Sequence, residues 1–275
     1  MTAEHALSQQ SVSQQAVSPH TLEPGSVLIL GGTGEARTLA CALHAQSIPI
    51  ISSLAGRVRA PRLPDGPVRV GGFGGVDGLS TWLHDNHIGA VVDATHPFAS
   101  TITEHAAHAC ARAGKPLLRV RRQPWIAQPD DRWTHVADIH AAAAAVDTHQ
   151  GRILLTTGRQ DVDAFSAVSG AWFLIRVVDP PTGALPARHQ ILQSRGPYHF
   201  DAEYQLLQDN RIDMVITKNS GGGLTRPKLD AARELGIPVI MVDRPAEPAG
   251  IATVDDAQSA VRWVVAIRDA GHAPA

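Results

Sequence analysis

Short apolar runs recur along the chain and alternate with longer stretches of helical period. Val27-Leu28-Ile29-Leu30, Ile48-Pro49-Ile50-Ile51, Val68-Arg69-Val70, Ala90-Val91-Val92 and Leu117-Leu118-Arg119-Val120 read as successive strands, several of them ending at a polar or glycine-rich loop. Runs that are apolar on both faces and alternate with helices predict a parallel sheet covered on both sides. Residues 123–128 read as a crossover. A second series follows: Ile153-Leu154-Leu155, Trp172 to Val178, Met214-Val215-Ile216-Thr217 and Val239-Ile240-Met241-Val242. His140 to Val146 predicts an alanine-rich helix and Val254 to Ile267 a closing amphipathic one. The expected class is α/β with parallel sheets in two domains, residues 25–123 and 124–270, after a disordered leader over residues 1–24.

The second series repeats the plan of the first. Ala90 to Phe98 is a strand and a special loop, followed by Ala113-Gly114-Lys115-Pro116 and a strand ending at Arg122. Met214 to Gly222 has the same form, followed by Leu235-Gly236-Ile237-Pro238 and a strand ending at Arg244. Laid on Gly114 and Gly236, the copies put His96 opposite Lys218 and Arg122 opposite Arg244. Two such domains facing each other would form a cleft between their loop edges, and ligands of parallel sheets bind at the carboxyl ends of strands.

Composition narrows the classes. A net charge of -2 over 275 residues supplies no global field for nucleic acid or an acidic membrane. No apolar run is long enough to span a bilayer. The first twenty residues are rich in Ser and Gln without an apolar core, unlike a secretory signal. A cytoplasmic location is expected. Cys41 and Cys110 have no partners at metal spacing, and Glu104, His105 and His108 make a poor ligand set, so no metal is expected.

The loops carry the candidate chemistry. Gly31-Gly32-Thr33-Gly34-Glu35 joins a strand to a helix start, the arrangement that offers backbone N–H groups and a helix dipole to phosphate. It is neither a G-x-G-x-x-G nor a P-loop, and a turn without a ligand is the alternative. Where an NAD site would carry an acid, the second strand has Ser52-Ser53 and then Arg57 and Arg59, which suits a ribose 2′-phosphate and favours NADP. A basic surface loop is the alternative. Gly71-Gly72-Phe73-Gly74-Gly75 can lie against a ring or serve as a hinge. Asp93-Ala94-Thr95-His96 is a polar cluster at a strand end: it is used, or it caps the next helix. In the second domain Thr156-Thr157-Gly158-Arg159, Arg176, Ser194-Arg195-Gly196-Pro197-Tyr198 and Lys218-Asn219-Ser220-Gly221-Gly222 lie at strand ends or adjacent loops. Lys218, Arg195, Arg226 and Lys228 would form a cationic wall suited to several carboxylates or phosphates.

Taken in order, Gly31 to Arg37, Ser53-Leu54-Ala55-Gly56-Arg57, Gly71 to Gly75, Asp93 to Ala99 and Lys218 to Gly222 resemble the successive signatures of the precorrin-6A reductase family, from about Val27 to Pro245. The resemblance implies two Rossmann-like domains with the active site in the cleft between them, and NADPH-dependent reduction of the precorrin-6A macrocycle to precorrin-6B in cobalamin biosynthesis. It also covers enzymes of the anaerobic route that act on the cobalt-containing ring. On that reading Gly31, Gly32, Thr33, Gly34, Glu35, Ser53, Arg57, Gly72, Phe73, Asp93 and Thr95 hold NADPH. Arg176, Arg195, Tyr198, Asn219, Ser220, Gly221, Gly222 and Arg244 meet the tetrapyrrole, and His96 and Lys218 polarise or protonate it. Neighbouring enzymes of the pathway are conceivable partners; nucleic acid and membrane are not expected. A nucleotide-sugar reductase would need a Tyr-x-x-x-Lys pair, which neither Tyr198 nor Tyr204 provides. A non-catalytic NADP(H) sensor is a further alternative, as is a two-lobed binding protein, which the lack of a signal pattern disfavours.

Overall fold

A computed structural model describes residues 22–271. The expected leader lies, apart from residues 22–24, outside the described residues. The apolar runs form strands buried on both faces: β1 (Val27–Leu30), β2 (Ile50–Leu54) and β4 (Ala90–Asp93) in the first series, β7 (Arg152–Leu155), β8 (Trp172–Val177), β10 (Met214–Lys218) and β11 (Val239–Val242) in the second. With β3 (Val68–Val70), β5 (Leu117–Val120), β6 (Trp133–Val136), β9 (His189–Gln193) and β12 (Ala252–Val254) they build two six-stranded sheets. All paired strands run parallel.

The sheet orders are β12-β5-β4-β1-β2-β3 and β6-β11-β10-β7-β8-β9. Place by place they match: β4 with β10, β5 with β11, β1 with β7. The internal repeat therefore holds in three dimensions. Register levels the carboxyl ends, since Leu30 pairs with both Ser53 and Asp93, and Asp93 with Arg119. These residues form one row along the first sheet's loop edge.

Helices cover both faces. Val27 and Ile29 face α1 (Gly34–Ala45), where Leu39 and Leu43 are fully buried, while Leu28 and Leu30 face Leu79 and Leu83 of α2 (Gly75–Asp85) and Ala106 and Cys110 of α3 (Ser100–Ala113). The alternation follows from side chains pointing to opposite faces along a strand. In the second sheet Ile153 and Leu155 pack on one side near α4 (Ile139–Ala145). Leu154 and Val215 pack on the other under α5 (Phe200–Asp209) and α6 (Pro227–Glu234).

The end of the chain departs from expectation. A second domain extending to residue 270 was anticipated, but β12 pairs with β5 and the closing helix α7 (Ala257–Gly271) buries Ala260, Val261 and Val264 in the core that holds Leu39 and Leu43. The chain thus crosses to the second unit after β5 and returns before β12. The strands that escaped notice, β6, β9 and β12, are edge strands with half-exposed, polar faces. An edge strand packs on fewer neighbours and needs no apolar run.

Replacing Val264 by Ala should lower the stability of the first unit by roughly 2 kcal/mol, from lost burial plus the cavity left between α1 and α7. Urea denaturation measures this, and an unchanged midpoint would place α7 outside that core.

Candidate active site

The loops at the carboxyl ends of the two sheets meet. On the first side Thr33 caps α1: its hydroxyl accepts from the Ala36 N–H at 3.1 Å and donates to the Ala94 carbonyl at 2.7 Å. One side chain therefore fixes both the helix start and the β4 loop. Gly32 has φ +107, a conformation that a side chain would strain, and open space lies where its Cβ would stand. The first N–H groups of α1 belong to a helix end that lacks intrahelical acceptors. Glu35, expected on the cofactor, is gripped by Arg122, whose Nε donates to Oε1 at 2.7 Å and whose Nη2 donates to Oε2. Burial alone would raise the Glu35 pKa, but the hydrogen bond and charge of Arg122 outweigh it and hold the carboxyl below its usual range. Its charge is thereby neutralised beside the glycine turn.

At the end of β2, Ser53 accepts from Arg69 Nη1 at 2.7 Å. Arg69 also donates to the carbonyls of Gly71 and Gly72, at 3.0 and 2.9 Å, and its guanidinium lies 3.7 Å from the centre of the Phe73 ring. Burial presses its pKa below the usual arginine value. Arg69 was missed as a site residue because it stands inside a strand-like Val-Arg-Val. The alternation of that triplet on an edge strand was the available signal. Ser52, the neighbouring hydroxyl, is buried without a hydrogen-bond partner among the described residues. Arg57, expected to join Ser53, instead reaches Gln160 of the second unit at 2.7 Å.

Asp93 and Thr95, also expected on the cofactor, are engaged internally. Asp93 is 1% exposed and accepts from the Thr95 N–H and hydroxyl (3.0 and 2.6 Å), the Thr103 hydroxyl (2.7 Å) and Arg119. Arg119 in turn donates to Glu247 at 3.0 Å. A buried carboxylate demands such pairing, and the network sets the course of the 94–99 loop.

That loop projects His96 to the second unit. The Phe98 N–H donates to His96 Nδ1 at 3.2 Å, so Nδ1 carries no proton. Nε2 therefore holds it and donates to the Ser220 hydroxyl at 3.1 Å. Burial, then the charges of Arg122, Lys218 and Arg244, push the His96 pKa down to about 3, with Glu35 opposing. His96 is a neutral hydrogen-bond donor at ordinary pH, and its expected protonating role lacks the charged form that would serve it. Lys218 pairs with Asp161 at 2.5 Å and stands 5.0 Å from the centre of the Phe98 ring, which itself packs on the second unit's core. The two repeat-equivalent residues thus meet in one network.

The Asn219–Gly222 turn rests on the crossovers. Asn219 and Trp125 exchange two hydrogen bonds, from Trp125 N to Oδ1 at 2.8 Å and from Nδ2 to Trp125 O at 3.1 Å. Arg244 donates to the carbonyls of Asn219 (2.8 Å) and Arg122 (2.6 Å), while Arg122 reaches those of Ser220 and Gly221. A Cβ on Gly221 (φ +69) would stand 2.1 Å from the Gln123 carbonyl, so this turn tolerates only glycine. Asn219, Gly221, Gly222 and Arg244, expected on the substrate, have these structural partners first. Arg176 is a clear correction: it is turned inward, bonded to Glu203 at 2.5 Å and stacked 4.0 Å from the centre of the Tyr198 ring. A strand-end position concealed that burial because Glu203 lies on a different element. Arg195 is exposed and has no ion-pair or hydrogen-bond partner among the described residues.

A cavity of about 210 Å³ opens where the units face, lined by Arg57 and Val58 from the first and by Thr157, Arg159, Asp161, Asp179 and Lys218, among others, from the second. A larger depression of about 480 Å³, between the ends of α2 and α3, lies at the other end of the first sheet, away from these loops. No group of residues suited to hold a metal ion occurs among the described residues, and no described helix is long and apolar enough to cross a membrane.

Residues 26–265 match the family model described as precorrin-6x reductase CbiJ/CobK. A precorrin-6A reductase of Mycobacterium tuberculosis is 54% identical over 242 residues, covering 88% of this chain and 98% of that protein. A cobalt-precorrin-6A reductase of Salmonella typhimurium is 29% identical over 277 residues, covering 90% of this chain and all of its own length. Among solved structures, one described as CobK precorrin-6A reductase superposes with a TM-score of 0.83 at 42% identity, covering 88% of this chain and 96% of its own.

Nitrogen NMR of labelled histidine should show His96 neutral, with its proton on Nε2, at pH 6. An imidazolium signal there would refute the assignment. Because the folded chain binds this proton more weakly than the unfolded one, His96 costs nothing above its ordinary value of 6.5 and lowers stability as pH falls from there toward 3.

Proposed function

The chain belongs to the precorrin-6x reductase CbiJ/CobK family, and on that premise we propose that it reduces precorrin-6A to precorrin-6B in cobalamin biosynthesis, with NADPH as cofactor. The family match along nearly the whole described chain is the observation that carries this reading. Identity of 54% to a precorrin-6A reductase, against 29% to a cobalt-precorrin-6A reductase, favours the metal-free ring.

The residues suit a dinucleotide. Open space faces the Cβ positions of Gly32, Gly71 and Gly72, the first of them beside the start of α1. The β2 end offers the Ser53 hydroxyl and the Arg69 guanidinium where an acid would select NAD. In this reading the Gly31–Gly34 turn takes the pyrophosphate, Ser53 and Arg69 take the 2′-phosphate, and Phe73 borders the adenosine side. NADPH supplies a hydride when bound.

The protein's part is to hold the macrocycle and manage the proton. The cavity between the units carries Arg57, Arg159 and Lys218 against Asp161 and Asp179. This excess of one cation suits the carboxylate side chains of a tetrapyrrole. Asp161 orients Lys218. Lys218 is the proton-bearing candidate, since His96 is neutral, and His96 orients Ser220 through its Nε2 proton. Asp93 and Thr95 act on the cofactor only by fixing the loop that carries His96.

Loss of NADPH absorbance on adding precorrin-6A, compared with the cobalt form, tests the reaction. No oxidation with either would overturn it, and faster turnover of the cobalt form would reverse the choice of ring. Arg69→Ala should raise KM for NADPH about tenfold or more, the worth of a charge-assisted hydrogen bond, and leave NADH little changed. If Arg57→Ala shows that discrimination and Arg69→Ala does not, the 2′-phosphate lies at the 55–59 loop instead.

A further inference from the structure

Lys228 occupies the second position of α6 and is 3% exposed. Both facts are unfavourable for a lysine. The start of a helix favours negative charge, and a buried ammonium is costly unless paired. No carboxylate lies within ion-pair distance of Lys228 among the described residues. Its Nζ donates to the Thr225 carbonyl at 2.8 Å and stands 4.6 Å from the centre of the Trp125 ring. The charged groups around it are Arg176 on β8 and Glu203 on α5, which bind each other, while Arg226 and Asp230 pair on its own helix.

The contacts beyond those partners lead to the candidate active site. Trp125 Nε1 donates to the Gly222 carbonyl at 2.8 Å, and the Trp125 backbone exchanges two hydrogen bonds with Asn219. The indole and its backbone therefore hold both ends of the Asn219–Gly222 turn. Ser220, between them, receives the His96 proton, and the Ser220 and Gly221 carbonyls receive Arg122. Thr225, the acceptor for Lys228, closes the loop that follows the turn.

We propose that Lys228 is a positioning residue for the reaction: by clamping Thr225 and the Trp125 ring it holds the Asn219–Gly222 turn in the geometry that faces His96. The proposal rests on the reading that this turn faces the substrate. Burial, reinforced by Arg176 and opposed by Glu203, pushes the Lys228 pKa down to about 7. The clamp is fully charged in mild acid. It weakens as pH rises through that value, because the neutral amine retains a hydrogen bond but loses its attraction to the indole face. The linkage has the opposite sign for stability. The folded chain binds this proton more weakly than the unfolded chain, so charged Lys228 costs stability below about 7 and the cost is relieved as pH rises toward 10.5.

The test uses Lys228→Met and Lys228→Arg in the full chain. Hydrogen exchange of the peptide spanning 219–226, followed without substrate, should quicken several-fold in Lys228→Met and little in Lys228→Arg. In the precorrin-6A assay, wild-type KM for the tetrapyrrole should rise with pH through about 7, while Lys228→Met shows a high, flat KM and unchanged affinity for NADPH. A lysine with only a structural role would leave the pH slope of KM unchanged when replaced. Here Lys228→Met should melt at the wild-type temperature or above it at pH 6. Wild-type exchange in the 219–226 peptide of Lys228→Met, or a wild-type pH slope of KM in that variant, would overturn the proposal. Because exchange is read without substrate, it stands apart from any failure of the proposed reaction. If Lys228→Met does not fold, protection of the 219–226 amides relative to their intrinsic exchange rates that falls with pH in Lys228→Arg as steeply as in wild type would overturn it equally.

Discussion

Arg122 ties the two units together. Its guanidinium holds Glu35 at the start of α1 and reaches the carbonyls of Ser220 and Gly221 across the junction, while its own carbonyl accepts from Arg244. Loop edges from separate sheets meet only if something fixes one against the other, and here the fixing groups sit on the two crossovers themselves. The repeat explains why there are two arginines: each stands just beyond the strand that follows its copy's special loop. The glycine turn, the His96–Ser220 contact and the Lys218–Asp161 pair all lie within the span these bonds hold.

Much of the fold was legible because central parallel strands must be apolar on both faces, and Val27–Leu30 or Val239–Val242 admits hardly another reading. Equivalence of the copies was also visible, since Gly114 and Gly236 punctuate identical units. Edge strands were hidden: Ala252–Val254 pairs with one neighbour, packs only Val254 on the core and carries a threonine in the middle. The return of α7 to the first core could not be read, because an amphipathic stripe shows that a helix packs without showing on which sheet.

The site was legible by position and less so by role. Glycine turns, His96 and Lys218 stand at strand ends in both readings. What a strand-end polar residue touches depends on partners far away in sequence. Asp93 and Arg176 illustrate this, for each is matched by an opposite charge from another element and is buried beyond easy reach of a ligand. Such pairs are weak contributors to net stability, yet breaking one is costly. They act here as fixed struts under the loops. Arg69 is the converse, a strand-interior residue whose guanidinium curls forward to the loop edge.

The return of β12 and α7 to the first sheet also bears on the birth of the molecule. Residues 133–242 supply every strand of the second sheet without interruption, so that unit is complete in the nascent chain while the first still lacks an edge strand and the partner of α1. The part made first is the part finished last. Until residues 252–271 leave the ribosome, β5 has an open edge and the part of α1 that packs on α7 is uncovered, the kind of surface on which chaperones act.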